Sequence, residues 1–381
     1  MKYYFIYSAG GGAGDWNGVK RVWPQYMPET LKSKILLKFG DIFLEHASGQ
    51  NFIRPQRWRD INNLREWLSN SVSDEYVKTQ SCDILLDSGT AKAVNMIAHH
   101  NPNVSCERLI QLFNRKFEEN RIFEKYTQIV HTSQLNSAVT FDIPNPFKIR
   151  SQNGAARLNI IEQETNSALV RLSVAYANRM YDMFVSLGGA DYANNTLSTI
   201  VNGLWSEEEM DLFFSGLNYS PRKLAVGGLS STSVSETDIR RQMEILQKFD
   251  ILSFDKVHFL GCGGFKKVKA IKDCDIDGDH ISVDCSTCIN RSIDGSTSGA
   301  TQSGYFDYQS RSLIRICPQS KNRILIKHRN VINPLYSVEQ MEDIIDQIIL
   351  HQSGNSSNNT YNARAKLIFH NADVFSRYAN S

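Results

Sequence analysis

Long apolar runs are missing from this 381-residue chain. No stretch approaches the roughly 18 consecutive apolar residues of a membrane-spanning helix. The opening MKYYFIYSAGGG is apolar only briefly. It has neither the length of a signal-peptide core nor its cleavage pattern. Blocks of about five or six like charges are also absent, so no basic or acidic tail is present. The formal net charge is only +2. That value neither requires nor excludes a nucleic-acid partner, because clustered charge matters more than the sum. The seven cysteines are an odd count, scattered at 82, 106, 262, 274, 285, 288 and 317. Such scatter is no secreted disulfide framework. There is no internal repeat. These absences lead us to expect a soluble, cytoplasmic protein with no membrane partner.

What is present is ordinary globular composition, 41% hydrophobic and 22% charged. Short apolar runs recur at Tyr3–Ser8, Ile35–Phe39, Asp83–Leu86, Ala138–Phe141, Met183–Leu187, Lys223–Val226, Val257–Leu260 and His280–Val283. Continuous runs of this length suit strands buried on both faces, as in a parallel sheet. Helical spacing separates them, for example over Ile61–Ser69, Cys106–Tyr126, Ser167–Asp182 and Ser235–Lys248. Alternating strands and helices imply βαβ units. Eight strands predict an α/β fold, a (β/α)8 TIM-type barrel with loop insertions and a C-terminal extension. An open doubly wound sheet is the alternative. The expected division is a catalytic barrel over residues 1–292 and an extension over 293–381 packing on it. Ser292–Gln309 and Ser353–Thr360 read as loops, and Val338–Leu350 as a helix.

Gly10, Gly11, Gly12 and Gly14 follow the first expected strand. No Gly-Lys-Ser/Thr pair accompanies them, so a turn above a barrel strand is the better reading than a phosphate loop. Four other strand ends carry chemistry. They are Leu86-Asp87-Ser88-Gly89, Phe141-Asp142, Val226-Gly227-Gly228-Leu229 and Val283-Asp284-Cys285. In a barrel these ends converge on one face. Three carboxylates at one pocket would divide the labour between nucleophile, acid or base, and substrate acceptor. Repulsion among them would raise at least one pKa. Taken singly, each Asp reads equally well as a helix cap.

The ordered set DILLDSG, LAVGGLS, VHFLGCGG and ISVDCSTCINRS resembles the tRNA-guanine transglycosylase superfamily over roughly residues 80–292. Phe369-His370-Asn371 is similar to that family's C-terminal His-Asn. The resemblance implies exchange of a guanine for a 7-deazaguanine base. By position it makes Asp284 the nucleophile at C1′ and Asp87 the handler of the base's proton. Asp142 would accept from the guanine-like edge, as an ionised carboxylate can. The resemblance also places Ser88, Gly89, Gly227, Gly228 and Leu229 at the base, with Ser186 or Leu187 where the family has a base-reading glutamine.

Departures from the family pattern shift the expected substrate. Ser286-Thr287-Cys288-Ile289-Asn290-Arg291 replaces the Pro-Thr-Arg segment that helps hold the tRNA anticodon loop. The Cys-x-Cys-x-x-Cys and histidine of the family's zinc site have no counterpart around Cys317, and Cys285-x-x-Cys288 alone is not a four-ligand set. No metal or cofactor is therefore expected, a structural zinc being the alternative. The chain looks most like the DNA-modifying branch found in phages and bacterial modification systems. The resemblance implies DNA as partner, with tRNA as the alternative, and a free preQ-type 7-deazaguanine as co-substrate. Accessory proteins, or a non-catalytic nucleic-acid-binding role within such a complex, are the remaining options. Gly261, Gly263, Lys266, Lys267 and Arg291 are the expected nucleic-acid contacts, with Arg54, Arg57, Trp58 and Arg59 as further ones.

Overall fold

The computed structural model describes residues 1–7, 28–45, 51–72, 82–101, 105–143, 163–229, 234–262, 264–274, 278–285, 292, 303–355 and 357–381. Its centre is a closed barrel of eight parallel strands in sequential order. The strands are β1 (Lys2–Tyr7), β2 (Lys34–Lys38), β3 (Asp83–Asp87), β4 (Ser137–Val139), β5 (Leu197–Asn202), β6 (Lys223–Gly227), β7 (Lys256–Phe259) and β8 (Ile281–Asp284). Closure is made by β8 on β1, with Tyr4 opposite Asp284 in the register. This is the (β/α)8 architecture, and its C-terminal strand ends form one face.

Helices surround the strands: α1 (Glu29–Lys32), α2 (Phe39–Phe43), α3 (Pro55–Asp60), α4 (Leu64–Val72), α5 (Thr90–His100), α6 (Cys106–Glu119) and α7 (Ile122–Thr132). They continue as α8 (Gln163–Thr196), α9 (Glu207–Gly216), α10 (Glu236–Lys248) and α11 (Phe265–Lys272). The helix-start reading at Ser235 holds. Its hydroxyl accepts from the Asp238 amide at 3.2 Å, and Asp238 accepts the Ser235 amide at 2.7 Å. The stretch expected as one helix from Cys106 is two, because Arg121 turns into the left-handed region at φ 51°.

Seven of the eight expected strands match. The exception is Met183–Leu187, which lies inside α8, a helix interrupted at Gly189 (φ 85°). A five-residue window of Met, Phe, Val and Leu looks like a strand. Over a longer span, however, the buried positions are Leu169, Val170, Ser173, Tyr176, Ala177, Met180 and Phe184. That spacing of three and four is helical. The fifth strand is instead LSTIVN, buried at every residue. Its Ser and Thr disguised it.

Beyond the barrel, β9 (Gly304–Phe306) and β10 (Leu313–Arg315) form an antiparallel pair. β9 falls inside the segment expected as loop up to Gln309. The helices α12 (Lys321–Arg329), α13 (Val338–Gln352) and α14 (Asn358–Asn380) complete the chain. Tyr305, Ile314, Ile316, Ile324, Met341, Ile344, Ile345 and Ile348 pack into a second apolar cluster. The last helix belongs to the barrel as much as to this extension. Ala365, Ile368, Phe369, Ala372, Val374 and Phe375 join the barrel's own core. Phe369 meets Phe5 of β1 with ring centroids 5.9 Å apart. Asn371 ties the two parts together, donating to Ser292 Oγ and the Gly304 carbonyl and accepting from the Phe306 amide.

Candidate active site

β3 ends on Asp87 and β2 on Lys38, and the two are direct register partners. Lys38 lies within electrostatic reach of Asp87, Asp41 and Asp284. Asp284 stands at the end of β8, two strands away through β1. Asp87 and Asp284 close β3 and β8 of the same parallel barrel, so both stand at its C-terminal rim. Burial raises the Asp87 pKa. Lys38 and the Gly89 amide pull it back, while Asp284 and Asp41 push it up. Burial also opposes the charge on Lys38, but the three carboxylates outweigh it and the lysine pKa is raised.

The chain after β3 is shaped by close backbone contact. Gly89 has φ +69°, and a Cβ there would lie 2.4 Å from the Gly40 nitrogen. Only glycine meets both demands. This contact locks the chain together just past Lys38 and Asp87, where β2 and β3 end. The Gly89 amide donates to Asp87 at 3.3 Å. Immediately after it α5 begins at Thr90, so the positive end of that helix faces the carboxylates.

Asp142 lies three residues past β4 and is 5% exposed. The Thr90 hydroxyl donates to its carboxylate at 2.7 Å, and Ser88 lies 3.3 Å from that hydroxyl. Burial pushes the Asp142 pKa up to about 6, with Thr90 lowering it and Asp87 raising it. Two anchors hold this segment. Thr140 Oγ1 accepts the Ile200 amide at 3.0 Å, extending the β4–β5 pairing by a side chain. Tyr126 of α7 places its hydroxyl 2.9 Å from the Leu86 carbonyl and 2.7 Å from that of Val139. It thereby bridges the ends of β3 and β4 just below Asp87 and Asp142.

Asp284 is 2% exposed and held through one oxygen. Its Oδ1 accepts the Gly261 amide at 2.7 Å and lies 3.1 Å from His258 Nε2. His258 Nδ1 is 2.8 Å from Ser282 Oγ. The order Ser282–His258–Asp284 has the connectivity of a hydrolase triad, but the polarity is reversed. Ser282 precedes Asp284 by two residues on β8, so it sits about 7 Å deeper in the barrel. The group nearest the mouth is the carboxylate. Beside it, burial raises the thiol pKa of Cys262. Cys262 and Cys285 are both buried.

The ends of β5 and β6 interlock opposite. Gly228 has φ +79°, and a Cβ on it would come 2.4 Å from Asn202 Oδ1. Leu229 is fully buried against Gly203. Gly227 accepts from the Gly203 amide at 2.7 Å through its carbonyl. Lys267 of α11 donates to the Leu229 carbonyl. Lys266 is exposed on the same helix. Gly261, expected at the nucleic acid, donates its backbone amide to Asp284. Gly263 and Arg291 lie outside the described residues, as do Gly10, Gly11, Gly12 and Gly14. Ser186 and Leu187 do not join the site. They sit on exposed turns of α8, with Ser186 Oγ bonded to the Asp182 carbonyl, because the strand assumed there is a helix. Arg54 and Arg57 are occupied in capping α2, donating to the carbonyls of Leu44 and Ile42.

Sequence reasoning missed Lys38 and His258. Lys38 carries a faint signal, a charged residue closing the apolar run ILLK. His258 carries one too, a lone histidine inside VHFL. Among the described residues no three His, Cys, Asp or Glu side chains form a metal-binding set, and no helix is long and apolar enough to cross a membrane. The chain matches no protein-family model and no curated protein.

Proposed function

We propose that the chain is a transglycosylase that exchanges guanine in DNA for a 7-deazaguanine base through a covalent aspartyl-glycosyl intermediate. The observation that carries this reading is the pair of carboxylates at one barrel mouth, held in unlike ways. Asp284 is fixed by two hydrogen bonds on Oδ1, leaving Oδ2 to attack. Asp87 has its pKa raised by burial, the direction that suits a group that gives and takes a proton. Retaining glycosidases divide the work of two carboxylates in the same way around an oxocarbenium-like transition state.

In the first half, Asp284 Oδ2 bonds to C1′ as the bond to N9 breaks. The departing guanine takes a proton from Asp87. In the second half, N9 of the incoming base attacks C1′ and its proton passes to Asp87. The electron pair of the ester bond then returns to Asp284. Asp142 accepts from the N–H groups of the purine edge. A duplex target would have to be flipped out of its stack, costing a few kcal/mol. Lys266 and Lys267 stand near the mouth for backbone contacts. The setting this implies is the cytoplasm of a bacterial or phage-infected cell.

The test is an exchange assay with labelled 7-deazaguanine offered duplex DNA, single-stranded DNA and tRNA. Label should enter DNA, and Asp284→Ala should abolish it. Incorporation into tRNA alone would replace DNA with tRNA as the substrate. Full activity in Asp284→Ala would remove the mechanism, and no turnover at all would favour a binding subunit.

A further inference from the structure

The chain Ser282–His258–Asp284 is buried at every member, at 7%, 4% and 2% exposure. Buried polar side chains are retained where their hydrogen bonds are made, and these are made in series. Toward an ionised carboxylate a neutral imidazole donates from Nε2, which leaves Nδ1 to accept the Ser282 hydroxyl. The ring is held on its other side as well. Tyr4 meets it edge-on, with centroids 5.2 Å apart at 86°. The Tyr4 hydroxyl is in turn anchored on Asp83 at 2.6 Å. Two strands therefore present the donor, and a third braces it.

Resting on the transglycosylase reading, we propose that His258 is a positioning residue whose hydrogen bond to Asp284 Oδ1 governs release of the sugar from the enzyme in the second half-reaction. A hydrogen bond to a full carboxylate is about twice as strong as one to a neutral carbonyl. In the ester, Oδ1 is the carbonyl oxygen and the His258 and Gly261 bonds weaken. When the ester bond to C1′ breaks, the electron pair returns to the carboxylate and both bonds regain strength. The pair of donors thus makes Asp284 a better leaving group while somewhat restraining it as a nucleophile. Gly261 supplies a backbone donor that substitution leaves in place, so His258 is the adjustable half. A serine-nucleophile role for the same three residues fails on position, because Ser282 lies below the carboxylate.

Removing the imidazole donor should slow the second half-reaction more than the first, so the covalent adduct accumulates. The experiment uses the full chain with an end-labelled DNA oligonucleotide and a free 7-deazaguanine base. It measures the fraction of protein that carries oligonucleotide after denaturation, together with single-turnover rates of each half. His258→Phe keeps the ring against Tyr4 and removes both nitrogens. Its adduct fraction should rise about tenfold over wild type, from the loss of one charge-assisted bond. His258→Gln, which can donate to Oδ1 and accept from Ser282, should restore a near-wild-type fraction. Ser282→Ala should raise it by a smaller factor. An exchange-active His258→Phe with the wild-type adduct fraction would overturn the proposal. Should His258→Phe fail to fold by circular dichroism, Ser282→Ala decides, and an unchanged fraction there overturns it equally. If the wild-type protein gives neither exchange nor adduct, the failure is that of the transglycosylase reading and not of the histidine's role alone.

Discussion

Asp142 shows how burial and hydrogen bonding compete at a single side chain. Its carboxylate is almost fully enclosed, yet one hydroxyl at 2.7 Å supports it. The net result is a pKa pushed up to about 6. A raised carboxylate pKa means the native state holds its proton more tightly than the unfolded chain. Stability therefore falls as pH rises from the unfolded value through about 6, and the penalty is complete above that. Its size is on the order of 3 kcal/mol. Asp142→Asn retains an oxygen for Thr90 and removes the charge. We expect this variant to melt higher than wild type at pH 7.5, with the advantage shrinking towards pH 4. Equal melting temperatures at both ends of that range would contradict it. Lys38 illustrates the converse case, a half-buried cation kept charged by Asp87, Asp41 and Asp284.

Among the elements, the shortest strand depends most on outside help. β4 has three residues, and its register with β3 covers only Leu85 with Ser137 and Leu86 with Ala138. Past that ladder the Tyr126 hydroxyl links β3 to β4, and on the other side the amide and side chain of Thr140 bond Ser198 and Ile200 of β5. Phe39, Phe117, Phe123 and Tyr126 pack around Phe141 with centroids 4.8 to 6.4 Å away. Tyr126→Phe preserves this packing and removes only the bridge. It should cost roughly 1–3 kcal/mol in urea unfolding, the price of stranding buried carbonyls. On the transglycosylase proposal, it should also lower exchange activity more than a comparably destabilising change on an outer helix. A loss within about 0.5 kcal/mol would mean that water satisfies those carbonyls instead. The element that misled sequence reading, α8, did so because a short window with four apolar residues fits two periods. Only the wider burial pattern separates them.

At the scale of the whole molecule, the C-terminal helix determines how the barrel and the extension share stability. His370 stacks on Tyr305 at 4.4 Å and donates from Nε2 to the Phe306 carbonyl at 3.0 Å. Burial pulls its pKa down to about 3. A depressed histidine pKa makes the unfolded chain the better proton acceptor. Stability from this site is thus full above the unfolded value near pH 6.5 and is lost as pH falls towards 3. His370→Phe keeps the stacking and should flatten the acid limb of a melting-temperature profile. Asp142 acts in the opposite direction across the same window, so single and double variants separate the two contributions. An unchanged acid limb in His370→Phe would assign acid sensitivity elsewhere. The same stacking explains why Phe369-His370-Asn371, read in the sequence as a family-like motif, serves here to join α14 to β9 and β1.

The sequence by itself determined the barrel and three of its mouth residues. Apolar runs flanked by helical spacing specify buried parallel strands, and an aspartate ending such a run must sit where the strands open. Asp87, Asp142 and Asp284 were legible for that reason. Tertiary structure alone decided the rest. Lys38 is an ordinary strand-end lysine until β3 sets Asp87 opposite it. His258 is an ordinary core histidine until β8 brings Ser282 and Asp284 to its two nitrogens. The fifth strand emerged only from burial, because LSTIVN has too many hydroxyls to announce itself. Periodicity records which face of an element is covered, but it does not record which neighbour covers it. The chemistry at this mouth depends on the neighbours.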